Sequence, residues 1–355
     1  MAALMTHAIE VASAHRPHPN PRVGALVVDV NGDVIASGAH ERPGTPHAEV
    51  HALRAAGDAA RGAEMIVTLE PCNHHGRTPP CTEAVIAAGV GRVVIGSIDP
   101  DPKVAGGGIA RLRQAGIEVV VGVESDAVEA ADPGYFHHRR TGRARVVHKT
   151  AITLDGQTAA GDGSSRWITG ERARADVHAV RASMDAVLIG VGTLVADDPR
   201  LDVRLPGYEG PQPRPVIVAG TRPLPPEARI WDRDPLVIAP APVPVPGELV
   251  VAPGVSGTVD LGQALIAIAE RGLLDVLVEG GAGISASLWR AGLVDHGVWY
   301  VAGRIAGGIG LGVFDHTFSN IDQARAVEIV AVQHLGPDLR IEWRTIGSGP
   351  GEIDR

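Results

Sequence analysis

TLEPCNHHGRTPPC, residues 68–81, carries both cysteines of a 355-residue chain. It runs from an apolar strand through a proline-bounded loop into a helix. The strand EMIVTLE (64–70) ends at Pro71-Cys72. Cys81 follows Pro79-Pro80 near the start of the helix TEAVIAAG (82–89), where proline is tolerated and the partial positive charge of a helix N-terminus favours a thiolate. Upstream, His47-Ala48-Glu49 follows Pro46 and opens the helical stretch AEVHALRAAGDAA (48–60). One histidine and two cysteines leave the fourth tetrahedral position of a zinc ion to water, and a carboxylate that is not a ligand moves protons. Thiolates and imidazole prefer zinc to hard cations, and zinc makes hydroxide available near neutral pH. His47, Cys72 and Cys81 are therefore the candidate ligands, and Glu49 the candidate proton carrier. Three other readings stand beside this one: inert buried cysteines, a hydrogen-bonded turn histidine at His47, and His51 as a ligand one helical turn on, although Glu49 has the wrong offset for H-E-x-x-H.

Working outward, the N-terminal MAALMTHAIEVASAH reads as a helix and lacks the basic leader and cleavage pattern of a signal peptide. The turn-rich RPHPNPR (16–22) leads to the strand VGALVVDV (23–30). Asn31-Gly32 predicts a type I′ hairpin into VIASGAH (34–40). RVVIGSI (92–98), GGGIARLRQAG (106–116) and IEVVVGV (117–123) repeat strand, helix and strand, so the chain to about residue 124 is an α/β layer domain. HHRRTGRAR (137–145) reads as a solvated linker. Strands then recur at VVHKTAITL, DAVLIGV, PVIVAG, PLVIAP, DVLVEGG and VWYVAGR, with helices at ERARADVHAVRA (171–182), LGQALIAIAERG (261–272) and ISASLWRAG (284–292). The halves are not repeats of one another, which points to two different functions. The expected domains are 1–144 and 145–355.

Composition narrows the partners. A net charge of -9 and 3% aromatic residues oppose a polynucleotide ligand, which needs a basic face and stacking platforms. No apolar run approaches the ~20 residues of a membrane span. The expectation is a cytoplasmic protein in a reducing compartment, where a disulfide between the two cysteines is disfavoured. A homo-oligomer is expected. Between the cysteines lie eight residues, not the two of C-x-x-C. The donors there, with the Pro19-Asn20-Pro21 turn, suit a small polar or phosphorylated ligand, with Asn20, His75 and Arg77 as candidate contacts.

HPNPRVG (18–24), PHAEVHAL (46–53), TLEPCNHHGRTPPC (68–81), the dipeptide Asp99-Pro100 and KVAGGGI (103–109) resemble the deaminase half of the bifunctional riboflavin-biosynthesis deaminase-reductases. KTAITLDGQTA (149–159), SRWITG (165–170), VGTLVADDPRLDVR (191–204) and LVEGGAGISASL (277–288) resemble the reductase half, in the same order. The resemblance implies a cytidine-deaminase-like three-layer α/β/α domain followed by a dihydrofolate-reductase-like α/β domain. It implies one zinc ion and NADPH as cofactors and a small phosphorylated pyrimidine as substrate. Its residues carry over as His47, Cys72 and Cys81 for zinc and Glu49 for proton transfer. Ala151, Trp167, Thr193, Asp197, Gly281, Ala282, Gly283, Ile284, Ser285, Ala286 and Ser287 are implied to face the cofactor. Ser165, Arg181, Leu201, Arg204 and Glu279 are implied to face the substrate. One departure is Ala219-Gly220, where the family often has Asp-Ser, so a hydroxyl contact to the cofactor is missing. Read without the resemblance, GGAGISA (280–286) is a weak G-x-G-x-x-A match or an ordinary glycine-rich turn. The rival functions are a nucleic-acid-editing deaminase, a zinc-stabilised scaffold, and a deaminase with a regulatory second half.

Overall fold

The computed structural model describes residues 1–74, 79–102, 104–220, 222–308, 310–314 and 320–346. His75 and Arg77, expected at the substrate, lie outside them. The chain divides into two compact units, Met1–Gly142 and Arg143–Arg355.

The first unit comprises α1 (Ala2–Ser13), β1 (Gly24–Val28), β2 (Val34–Ala39), α2 (Ala48–Ala56), β3 (Glu64–Leu69), α3 (Cys81–Ala88), β4 (Arg92–Ser97), α4 (Gly107–Gln114), β5 (Glu118–Val121), α5 (Ser125–Ala131) and α6 (Pro133–Thr141). Its sheet runs β2-β1-β3-β4-β5, with β1 antiparallel to both neighbours and β3, β4 and β5 parallel. The central strands are apolar on both faces, Met65-Ile66-Val67 and Val93-Val94-Ile95 being fully buried, because helices cover both sides. α1 packs with α5 on one side, while α2, α3 and α4 follow one another on the other, giving the three layers. Gly38 of β2 sets the seat of α2: a Cβ there would fall 2.4 Å from the Ala48 carbonyl oxygen.

Three local expectations are corrected. In the first hairpin only Gly32 of the Asn31-Gly32 pair takes a positive φ, so the turn is not type I′. The Asp29 carboxylate accepts the N–H groups of Asn31 (2.8 Å) and Asp33 (3.0 Å), and backbone hydrogen bonds from Gly32 N–H to the Asp29 carbonyl oxygen and from Asp29 N–H to the Asp33 carbonyl oxygen complete the loop. α2 stops at Ala56, and Gly57–Ala60 tighten into a 3₁₀ turn. The basic run 137–145 is mostly the end of α6, which Pro133 starts and which buries Tyr135 and Phe136; the chain leaves it at Gly142.

The second unit comprises β6 (Arg145–Thr153), β7 (Gln157–Ala159), α7 (Glu171–Ala182), β8 (Ala186–Gly190), α8 (Val191–Asp197), β9 (Arg214–Val218), β10 (Leu236–Ala239), β11 (Glu248–Val251), α9 (Leu261–Ala269), β12 (Asp275–Val278), α10 (Ala282–Arg290), β13 (His296–Ala302), β14 (Leu311–Gly312), β15 (Val327–Leu335) and β16 (Asp338–Thr345). The main sheet runs β11-β10-β9-β8-β12-β6-β13-β16-β15. It is parallel from β11 to β13, and β16 and β15 close it as an antiparallel hairpin. One face carries a core in which Ala173, Val177 and Val180 of α7 and Leu194 of α8 meet Val147, Val187, Ile189, Leu277 and Tyr300. His148, alternating with Val147 along β6, points to the opposite face and meets Ser285 of α10 there.

Among the described residues no helix is long and apolar enough to cross a membrane.

Candidate metal centre and reductase cleft

Three chain segments converge on the metal centre of the first unit. His47 is the residue that precedes the first turn of α2, with extended backbone (φ -75°, ψ 166°). Cys72 lies in the loop after β3, and Cys81 is the first residue of α3. The His47 Nδ1 atom is 3.1 Å from Cys81 Sγ and 3.6 Å from Cys72 Sγ, and the three potential ligand atoms lie within 4.8 Å of one another. His51 does not belong to this group. Being one helical turn from His47 is not enough, because the convergence depends on the loop that delivers the sulfurs.

The Cys81 N–H points at Cys72 Sγ from 3.4 Å, as expected of a helix N-terminus receiving a thiolate. The Cys72 thiol is held down to about 4, first by the hydrogen bond from the Cys81 thiol and then, against burial, by the His47 ring and the Cys81 N–H. The two sulfurs share one proton, so Cys81 is pushed up as Cys72 is lowered. A soft cation removes that constraint by replacing the shared proton. Two sulfurs and an imidazole nitrogen at this separation are the donor set zinc takes.

Glu49 stands in the first turn of α2, 3% exposed. Its Oε2 atom is buried with no hydrogen-bond partner among the described residues. Burial first, and then the Cys72 charge, push its carboxyl up. An unpaired buried carboxylate oxygen beside a metal ligand is costly unless it serves a ligand or a proton. Asn20 Nδ2 lies 2.9 Å from His40 Nε2, and His40 Nδ1 lies 3.2 Å from the Pro46 carbonyl oxygen. The amide donates to Nε2, which leaves the proton on Nδ1 for Pro46 and ties Asn20 to the residue before His47.

In the second unit the expected residues fall into a connected set. Glu279 follows β12 directly and is held by Arg181, whose Nε and Nη2 lie 2.5 and 3.0 Å from its oxygens. Arg181 Nη1 also donates to the Asp202 carbonyl oxygen at 2.9 Å. Lys149 of β6 places its ammonium 3.8 Å from Glu279. Reading the sequence misses Lys149 as a site residue. Its signal is a lysine inside an otherwise apolar strand, VVHKTAI, a position lysine occupies only when paired. Two residues beyond Glu279, the Gly281 N–H donates to Thr193 Oγ1 at 3.0 Å, joining α8 to the turn before α10. At the other end of α8, Asp197 takes the Arg166 guanidinium at 2.6 Å. Arg166 lines a cleft of about 210 Å³ together with Ser165, Trp167 and Arg304. Trp167 is 62% exposed, the Arg174 guanidinium sits 4.7 Å from its ring centroid, and Arg304 donates to its carbonyl oxygen at 3.2 Å.

Other expected residues sit differently. α10 begins at Ala282, not Ile284, so Gly281 alone precedes the helix and Ala282–Ser287 are helical. Ser285 and Ala286 are buried and turned from solvent. Leu201 is a core residue, 3% exposed with φ 55°. Arg204 is exposed and pairs with Asp202. Ala151 packs against the core. A Cβ on Gly220 would meet no described atom within 4 Å, so the position leaves room for a side chain.

A zinc-site deaminase unit followed by a dihydrofolate-reductase-like unit is the class of protein that this fold and site define. Residues 1–97 match the cytidine and deoxycytidylate deaminase zinc-binding region, and residues 144–341 match the RibD C-terminal domain. The riboflavin biosynthesis protein RibD of Mycobacterium tuberculosis is 41% identical over 342 residues, covering 96% of this chain and 94% of that one. That of Escherichia coli is 36% identical over 367 residues, covering 94% and 96%. The solved RibD of Acinetobacter baumannii superposes with a TM-score of 0.89 at 35% identity, covering 97% and 98%. A Thermotoga maritima structure described as a diaminohydroxyphosphoribosylaminopyrimidine deaminase/5-amino-6-(5-phosphoribosylamino)uracil reductase superposes at 0.87, also at 35% identity. The chain belongs to the RibD family of bifunctional riboflavin-biosynthesis deaminase-reductases.

Proposed function

We propose that the first unit removes the 2-amino group of 2,5-diamino-6-ribosylamino-4(3H)-pyrimidinone 5′-phosphate by hydrolysis, and that the second reduces the ribosyl group of the product to a ribityl chain with NADPH. The observation that carries the first step is the convergence of His47, Cys72 and Cys81 beside the unpaired oxygen of Glu49. Zinc held by these three groups supplies a hydrolytic nucleophile from water near neutral pH. Glu49, buried and with Oε2 free of a hydrogen-bond partner among the described residues, would pass the two protons of that water in turn, one to the ring nitrogen and one to the departing amino nitrogen, which leaves as ammonia. Asn20, fixed by His40, offers a donor and an acceptor to the pyrimidine edge.

For the second step, NADPH supplies the hydride. Thr193, Asp197 and the Gly281 turn are linked through α8, which supports a shared role in holding the cofactor. The N–H groups that open α10 suit its phosphates. Lys149, Arg181 and Glu279 lie next to that turn and supply the charge pairing that a phosphorylated sugar requires. Ser165 and Trp167 line the adjoining cleft. The reading includes a cytoplasmic homo-oligomer acting on a small molecule; the net charge of -9 opposes nucleic acid.

The test supplies the diamino-pyrimidinone ribosylamine phosphate with and without NADPH and follows ammonia and NADPH absorbance separately. Both signals are expected, with ammonia independent of NADPH. Ammonia without NADPH oxidation would leave the second unit a regulatory role.

A further inference from the structure

Two sequence motifs, the Glu-Pro-Cys of the cysteine loop and the glycine run of KVAGGGI, are brought together by one side chain. Glu70 follows β3 directly and is 4% exposed. Its Oε2 accepts the N–H of Gly106 at 2.9 Å, and its Oε1 accepts those of Gly108 (2.9 Å) and Ile109 (3.2 Å). The carboxylate thus occupies the N-terminus of α4, where helix N–H groups lack partners of their own and negative charge is favoured. Close approach is part of the same contact: a Cβ on Gly108 would fall 2.0 Å from the Pro71 carbonyl oxygen. Glycine is required at 108 because the Pro71 peptide lies directly on the helix backbone. Cys72 is the next residue. Its own carbonyl oxygen accepts the Thr82 N–H at 3.2 Å, and its sulfur faces the Cys81 N–H. The start of the cysteine loop is therefore fastened to α4 on one side and α3 on the other.

We propose that Glu70 is a positioning residue of the metal centre: its clamp on the first turn of α4 holds the Pro71-Cys72 peptide so that the Cys72 sulfur stays at ligand distance from Cys81 and His47, and slows the loss of zinc. Glu70 is not itself a ligand, since it does not belong to the converging group. Without the clamp the chain keeps its tie to β4, the Glu70 N–H to the Ser97 carbonyl oxygen at 3.0 Å, and its fastening to α3, but the Pro71-Cys72 peptide loses its hold on α4 and one of the three protein ligands loses its fixed place. Residues that orient metal ligands in this way typically contribute 10- to 100-fold to metal affinity. The inference rests on the zinc reading of the site.

The experiment loads the full-length protein with zinc and follows release to an excess of the chromogenic chelator 4-(2-pyridylazo)resorcinol, alongside thermal melts of the metal-free proteins. Glu70→Gln and Gly108→Ala are expected to speed release about 10- to 100-fold, with the double variant no faster than the faster single one, because both break one contact. Glu118→Gln, an exposed carboxylate on β5, serves as the control and is expected to match the wild type. The metal-free Glu70→Gln protein is expected to melt within a few degrees of the metal-free wild type. Should Gly108→Ala not fold, Glu70→Asp takes its place, and faster release is again expected. Release from the Glu70 variants at the wild-type rate overturns the proposal. So does a faster release matched by an equal loss of stability in the metal-free protein, which would make Glu70 a fold residue only. A wild type that takes up no zinc overturns the zinc reading itself, and the two failures are thereby distinct.

Discussion

Arg181 grips Glu279 with two guanidinium nitrogens, at 2.5 and 3.0 Å, with the two side chains only 11% and 10% exposed. Both were expected to face substrate, and the fold makes them partners first. Burial alone would raise the Glu279 carboxyl, but the charges of Arg181 and Lys149 hold it down to about 2. Removing one member of a buried pair strands the other, at a cost of about 3–5 kcal/mol. Arg181→Ala is expected to cost toward the lower end, since Lys149 stays within reach of Glu279. The triple variant Lys149→Met/Arg181→Met/Glu279→Met, which strands no charge, is expected to be more stable than Arg181→Ala. Urea denaturation at pH 7 checks the order. Because the folded pKa is depressed, the Glu279 contribution is present above about pH 4.5 and fades as the pH falls toward 2.

Glu49→Gln keeps the buried volume and the three ligands but removes the proton carrier. Zinc content is expected to remain at one per chain while ammonia release falls by about 10²- to 10⁴-fold. Reduction of the separately supplied deaminated substrate is expected to be unchanged. Metal analysis with the two product assays reads this, and near-normal ammonia release from the zinc-replete variant would exclude the role.

Cys72→Ser exchanges a soft ligand for a hard one at the loop position. Zinc is expected to be lost to a chelator under conditions where the wild type retains it, and deamination with it. The reductase reaction is expected to persist in the same sample, which makes NADPH oxidation an internal control for folding.

Lys149→Met leaves the apolar strand intact and removes the ammonium facing Glu279. The expected result is a loss of NADPH oxidation on the deaminated substrate with ammonia release preserved. An unchanged rate of reduction would assign Lys149 to balancing the Arg181–Glu279 charge only.

His148 offers a pH-dependent signal in the second unit. Trp299 Nε1–H donates to its Nδ1 at 3.1 Å, so the ring proton sits on Nε2 and donates to Ser285 Oγ at 2.9 Å. The ring is neutral: burial, and then the Lys149 charge, push it down to about 4. The unfolded chain binds this proton near pH 6.5, so between 6.5 and about 4 it holds more protons than the folded one. Stability conferred by neutral His148 is complete above 6.5 and declines as the pH falls, by on the order of 3 kcal/mol in total. His148→Gln keeps a donor and an acceptor without the titration. The difference between wild-type and variant melting curves is expected to narrow or reverse across that window; a constant difference would count against the assignment.

How much was legible in the sequence differs between the two units. In the first, the site could be read because it depends on residue types that have few other uses: two cysteines in 355 residues, and a histidine and glutamate at the start of a helix. In the second, the expected residues are ordinary arginines, glycines and a leucine, whose placement depends on sheet order. Leu201 turned inward and the start of α10 came two residues early, because core packing and the Thr193–Gly281 contact decide those positions. The hairpin at Asn31-Gly32 shows the same limit on a smaller scale: a side chain two residues upstream, Asp29, helped to close the turn that the dipeptide alone would have made differently.

By itself, the sequence determined the donor chemistry, the strand and helix periods and the presence of two α/β units, since these follow from residue type and local spacing. Only the tertiary structure decided that His47, Cys72 and Cys81 meet while His51 does not, that Glu49 keeps one oxygen without a hydrogen-bond partner among the described residues, that Lys149 joins Arg181 and Glu279, and that Glu70 fastens the cysteine loop to α4. The physical reason is the same in each case. A contact between residues far apart in the chain depends on which strands lie side by side and how closely their backbones approach, and neither is encoded in any one segment.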